Sequence, residues 1–221
     1  MNTRPILMSA PMVLANLARR KTQTRRMTGL KNIPEGYEFV KMFFTEQIVK
    51  GDELGIAIVM LSNGSNQICI PCPYGTIGDQ LWVRERLWND GDGSWLYGAD
   101  HKFLPMDYPE GWLAKVDHKR SIPAIHMPRW ASRIMLEITN IRVERLQDIS
   151  WDDCMAEGVL STREYGYTAY FDFRREKYTC STPRESYESI IDSINGAKAW
   201  DSNPWVWVVE YKIIEIKGGE K

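Results

Sequence analysis

Residues 10–26 read APMVLANLARRKTQTRR, and a change of periodicity within this stretch sets the expectation for the fold. Ser9 stands at an N-cap position, and Pro11 falls in the first helical turn, where a missing N–H costs nothing. Val13, Leu14, Leu17 and Ala18 recur at helical spacing. Thr22-Gln23-Thr24 then places β-branched residues in alternation, which favours an extended strand. A helix therefore gives way to a strand at Lys21, and the switch releases Lys21 and Thr24 from the alternation that would hold them on opposite faces. Arg19, Arg20, Arg25 and Arg26 crowd around that lysine. They fit either a solvated helix end, favourable against the helix dipole, or a cationic site.

Working outward, Pro5–Met8 reads as a strand feeding the helix, and 27–37 as a loop. Phe39–Phe44, Ile56–Leu61 and Gln67–Ile70 read as strands, with Ser62-Asn63-Gly64-Ser65-Asn66 as hairpin turn chemistry. Residues 133–146 alternate as one long strand or a bent pair, with Asn140 a candidate bulge. Ser150 with Asp153 has capping-box spacing for a short helix ending near Gly158, and Thr182-Pro183-Arg184-Glu185 opens another. Tyr187, Ile190, Ile191 and Ile194 give that second helix an apolar face, and Trp205–Ile216 reads as the last strand.

The 221 residues suffice for one sizeable core, so a single domain with insertions is expected over 1–221. Lysine plus arginine number 28 against 29 acidic residues, which excludes a global cationic field and leaves room for a local basic site. Nine tryptophans and ten tyrosines supply core, or faces on which bases stack. No apolar run approaches membrane-spanning length and no signal peptide is evident, so a soluble cytoplasmic protein is expected. Cys69-Ile70-Pro71-Cys72 has zinc-knuckle spacing without a second pair to complete a tetrahedron, so neither metal nor disulfide framework is expected, and no cofactor.

The run Arg19-Arg20-Lys21-Thr22-Gln23-Thr24-Arg25-Arg26 resembles the opening motif of the ASCH domain, Gly-x-Lys-x-x-Glu-x-Arg. Lys21 and Arg26 match; Arg19 replaces the glycine and Thr24 the glutamate. Its Lys-Thr-x-Thr-x-Arg form is similar to that of the small bacterial ASCH enzymes that deacetylate N4-acetylcytidine. Gly78-Asp79-Gln80-Leu81-Trp82-Val83-Arg84-Glu85 resembles the second ASCH signature, especially in larger phage and prophage members, and the run from Ile125 to Ile134 is similar to the phage-type ASCH proteins. The resemblance implies an α+β fold, a PUA-like mixed β-barrel with flanking helices, and the composition of 89–120 and 161–180 reads as two insertions in it. His101 and His118 lie in the first insertion and are expected at the surface. The resemblance also places Glu157, at the end of the short helix, in the role of the family's glutamate.

An acyl group on cytosine N4 must be attacked at its carbonyl carbon. A threonine hydroxyl needs a base to become a nucleophile, and lysine serves only where burial or neighbouring cations lower its pKa. The expected roles are Thr24 as nucleophile or holder of the attacking water, Lys21 as base and then acid, and Glu157 as orienting and relay group. Arg26, Arg84, Glu85, His126, Arg129 and Trp130 are the candidate substrate-binding residues, because basic groups steer phosphate while aromatic faces stack on bases. For Arg84 and Glu85 the alternative is pairing at a sheet edge, and for Trp130 a place in the core. The expected partner is a modified nucleoside or single-stranded RNA. Two other functions fit the same residues: a non-catalytic module binding RNA or a modified base, and a ribonuclease.

Overall fold

The computed structural model describes residues 1–49, 52–116, 118–164 and 166–217. Residues 117 and 165, inside the two expected insertions, lie outside the described residues. The chain opens with β1 (Thr3–Leu7), α1 (Ala10–Leu17) and β2 (Gln23–Arg26), the expected strand, helix and strand. Pro11 occupies the first turn of α1, but Ser9, at its N-cap, makes no side-chain capping bond. Its backbone carbonyl instead accepts from the amides of Met12 and Val13. The buried face of α1 is Met12, Val13, Ala15 and Asn16, whereas Leu14 is exposed. Asn16 is held inside by donating to the Met12 carbonyl at 2.8 Å and accepting from the Tyr211 hydroxyl at 3.0 Å.

β3 (Glu38–Val49), β4 (Asp52–Ser62) and β5 (Gln67–Pro71) form an antiparallel meander. The Asn63 carboxamide oxygen accepts from the amides of Ser65 and Asn66 to close the second turn, the local bonding that suits asparagine to turns. β6 (Gln80–Arg84) follows, then β7 (Leu87–Asn89), β8 (Trp95–Tyr97), α2 (Trp112–Val116) and β9 (Ser121–Ile122). Strands β7, β8 and β9 make a small sheet with its own apolar cluster, which includes Leu87, Trp95, Leu104 and Met127.

β10 (Ile134–Arg145) is one long strand whose pairing slips between Ile138 and Asn140. After it come α3 (Trp151–Ala156) and the meander β11 (Ser161–Glu164), β12 (Tyr167–Asp172) and β13 (Lys177–Cys180). α4 (Pro183–Asn195) and β14 (Trp205–Ile216) end the described fold. The caps of α3 and α4 form as their sequences predict: Ser150 Oγ accepts from the Asp153 amide at 3.1 Å, and Thr182 Oγ1 from that of Glu185 at 3.2 Å.

The core sheet has five strands in the order β1-β6-β10-β14-β2, with β1 and β6 parallel and the other neighbours antiparallel. This corrects the expected PUA-like barrel. Closure requires its two edge strands, β1 and β2, to pair with each other, and they do not. The α+β class stands, as several separate open sheets. β14 is buried along both faces in its first half, with Trp205, Val206, Trp207, Val208 and Val209 all in the core. Among the described residues, no helix is long and apolar enough to cross a membrane.

Candidate active site

β2 is an edge strand on β14, with Thr24 opposite Val209 and Arg26 opposite Trp207. Lys21 precedes β2 in the turn after α1, where its amide reaches back to the Ala15 carbonyl. That turn depends on Arg19, whose φ is +54°. The following amide, Thr22 N–H, donates to the Ala156 carbonyl at 2.9 Å and ties the turn to the end of α3. Gly158 completes the join with φ +93°, and a Cβ there would stand 2.7 Å from the Ala15 Cβ and 3.3 Å from the Lys21 Cβ. The close approach of two backbones here requires glycine.

The turn and the helix end bring Lys21 against Glu157. Lys21 Nζ donates to the Glu157 backbone carbonyl at 2.7 Å and to Oε2 at 2.6 Å, and the ammonium side chain is 1 % exposed. The other carboxylate oxygen of Glu157 accepts from Arg25 Nη1 at 3.3 Å. Arg25 continues the network to Glu144 at 2.5 Å and Asp153 at 2.9 Å, and Gln23 also donates to Asp153. Arg142 joins Glu144, Asp153 and Glu210 at the outer end.

Burial lowers the Lys21 pKa below the ordinary 10.5. The charge and hydrogen bond of Glu157 oppose this, while Arg26 and Arg25 add to the lowering, and the net direction is down. For Arg25 burial acts downward too, but Glu157 and the other acidic neighbours outweigh it and fix the guanidinium as a permanent cation. Burial, reinforced by Glu157, holds the Tyr187 phenol well above its ordinary value, so it stays neutral.

Lys21, Thr24, Arg26 and Glu157 line one cleft of about 390 Å³, together with Arg25, Lys31, Tyr187 and apolar side chains of α4. Its size falls within the range of small-molecule sites. Ile194, expected on the buried face of α4, is 50 % exposed and forms part of the rim. Thr24 is buried, and its hydroxyl makes no side-chain hydrogen bond among the described residues. Arg26 Nη2 donates to the Leu7 carbonyl at 2.6 Å, and its Nε is buried without a partner.

The other candidate residues lie elsewhere. Glu85 is buried in a two-bond pair with Arg133, at 2.8 and 3.0 Å. Arg84 stacks on Trp82 at 4.4 Å and donates to the Ile125 carbonyl. His126 and Arg129 are exposed on short 3-10 turns. Trp130 packs edge-on against Trp112 at 5.0 Å in the small second core. None of these five lines the Lys21 cleft. Lys31 and Tyr187, which do line it, carry no local signal beyond being one basic loop residue and one aromatic on an amphipathic helix.

Among the described residues, no group of three or more histidine, cysteine, aspartate or glutamate side chains is arranged to hold a metal ion. Comparison with protein-family models, with curated proteins and with solved structures finds no match for this chain.

Proposed function

We propose that the cleft hydrolyses the amide of an N4-acylated cytosine or cytidine. The observation that carries this reading is the buried Lys21 amine, lowered in pKa and bonded twice to Glu157, in one cleft with the unengaged Thr24 hydroxyl. A neutral amine has two N–H donors, and the two bonds to Glu157 use both, so its lone pair is the remaining acceptor position for a proton. Lys21 takes the proton of Thr24, or of a water held by Thr24, as that oxygen attacks the acyl carbon. It then returns the proton to the departing cytosine N4. Where Thr24 itself attacks, a water deprotonated by the same amine then adds to the acyl-threonine, releasing the carboxylate and restoring the hydroxyl. Glu157 fixes the amine's orientation. The sequence likeness to the ASCH motif supports the same assignment. Arg19 replaces that motif's glycine and adopts the positive φ that glycine favours.

The test is acetate release by purified protein from a panel of N4-acetylated cytosine, cytidine and RNA, with Lys21→Ala and Lys21→Arg alongside. Release that disappears in both variants supports proton transfer by Lys21. Full turnover by Lys21→Arg rules it out, because a guanidinium does not deprotonate. Binding of the modified base without release returns the non-catalytic module, and strand scission of the RNA returns the ribonuclease.

A further inference from the structure

The charges lining the cleft are unbalanced. Lys21, Arg25, Arg26 and Lys31 face a single carboxylate, Glu157, in a chain whose net charge is −1. Lys21 and Arg25 are accounted for by Glu157, Glu144 and Asp153. Arg26 and Lys31 are not: neither has a carboxylate partner among the described residues, and Arg26 Nε is a buried donor without an acceptor. Ser9 lines the same cleft, and its hydroxyl is not spent on capping α1. The carbonyl of Leu7, two residues before Ser9, holds Arg26 Nη2 at 2.6 Å and so fixes the guanidinium near the segment that carries Ser9. A fixed guanidinium, a free ammonium and an unspent hydroxyl are the donor set that recognises a phosphate.

We propose that Arg26, Lys31 and Ser9 form a phosphate subsite, so that the ligand of the cleft is a nucleotide unit and not a free base or nucleoside. This rests on the reading above, in which the pyrimidine lies toward Lys21. The phosphate belongs either to a free nucleoside monophosphate or to the backbone of a single strand, since both present the same anionic oxygens.

The experiment is equilibrium binding by calorimetry, with acetate release followed in parallel. The probes are N4-acetylcytidine, its 5′- and 3′-monophosphates, and a trinucleotide carrying N4-acetylcytidine at its centre. At least one phosphorylated probe binds about 10-fold or more tighter than the nucleoside, the usual scale of one charge-assisted contact. That ratio falls toward one in Lys31→Ala and at high salt. Preference for a monophosphate identifies a free nucleotide, and preference for the trinucleotide alone identifies a strand. Equal binding of all four probes, or a ratio that Lys31→Ala leaves intact, overturns the subsite. A phosphate preference without acetate release from any probe keeps the subsite and removes the hydrolytic reading, so the two fail separately.

Discussion

Lys21 Nζ lies 2.6 Å from Glu157 Oε2, and the two side chains are 1 % and 4 % exposed. The pair is asymmetric in its support. Glu157 has a second cation in Arg25, at 3.3 Å, whereas among the described residues the only carboxylate on Lys21 is Glu157. Losing Lys21 therefore leaves a carboxylate that is still paired, whereas losing Glu157 leaves a buried amine that either stays charged without a carboxylate or gives up its proton. Glu157→Ala is expected to destabilise the fold by about 3–5 kcal/mol, the range for stranding one member of a buried pair. Lys21→Met, similar in volume and uncharged, costs distinctly less. Urea denaturation of both variants checks the order; equal losses would mean that Arg25 does not hold Glu157 in place.

The lowered Lys21 pKa has two consequences of known sign. The amine is a base only when neutral, so under the proposed hydrolysis turnover of an N4-acylated cytosine is expected to rise with pH, with its midpoint below the ordinary 10.5 of lysine. In the window between the folded value and 10.5, the unfolded chain holds a proton that the native protein has released. Stability therefore rises with pH across that window. Lys21→Met removes this contribution, and the difference between variant and parent in urea midpoints, followed as the pH is raised, measures it. A difference that does not vary with pH argues that Glu157 keeps the lysine at its ordinary value.

Local chemistry made much of this architecture legible. Ser150 and Thr182 cap their helices because a hydroxyl oxygen and an amide three residues on are brought together by the helix itself. The turn at Asn63 is equally local. What the sequence does not carry is decided at long range. Glu157 meets Lys21 across 136 residues, and Glu85 meets Arg133 across 48. Glu85 and Arg84 stand side by side in a motif-like run, yet one faces a buried guanidinium and the other stacks outward on Trp82. The barrel expectation failed for the same reason: strand count and alternation are local, whereas closure depends on whether β1 and β2 meet. The chain instead carries α1 between them and leaves both as edges.

Gly158 is expected to tolerate no side chain. Its φ of +93° costs an L-residue about 1–2 kcal/mol, and an added methyl would stand 2.7 Å from the Ala15 Cβ, a separation that forces α1 and the end of α3 apart. Those are the two segments that deliver Lys21 and Glu157. Gly158→Ala is therefore expected to lower the melting temperature and, under the proposed hydrolysis, also to reduce acetate release measured well below that temperature. Reduced stability with unchanged turnover would show that the Lys21–Glu157 contact survives the displacement.

Arg133 is the counter-charge of a second buried carboxylate, Glu85, which does not line the Lys21 cleft. Its Nε and Nη2 donate to the two oxygens of Glu85, its Nη1 donates to Asp100 at 2.9 Å, and its guanidinium lies 3.9 Å from the Tyr97 ring centroid. Burial raises the Glu85 pKa above the ordinary 4.5 even though Arg133 pulls it down. Between 4.5 and the folded value the native state keeps a proton that the unfolded chain has lost, so stability falls as pH rises through that window. Arg133→Met removes the opposing charge, moves the folded value of Glu85 higher and widens the window upward. The variant is expected to lose about 3–5 kcal/mol near neutral pH, as for other unpaired buried charges, and less in mild acid, where Glu85 is neutralised by its own proton. Adding Glu85→Gln to Arg133→Met removes the stranded charge and recovers most of the loss at neutral pH. Urea midpoints of the single and double variants at the two pH values test this directly. A loss that is the same at both would mean that Arg133 acts through its stacking on Tyr97 and not through its charge.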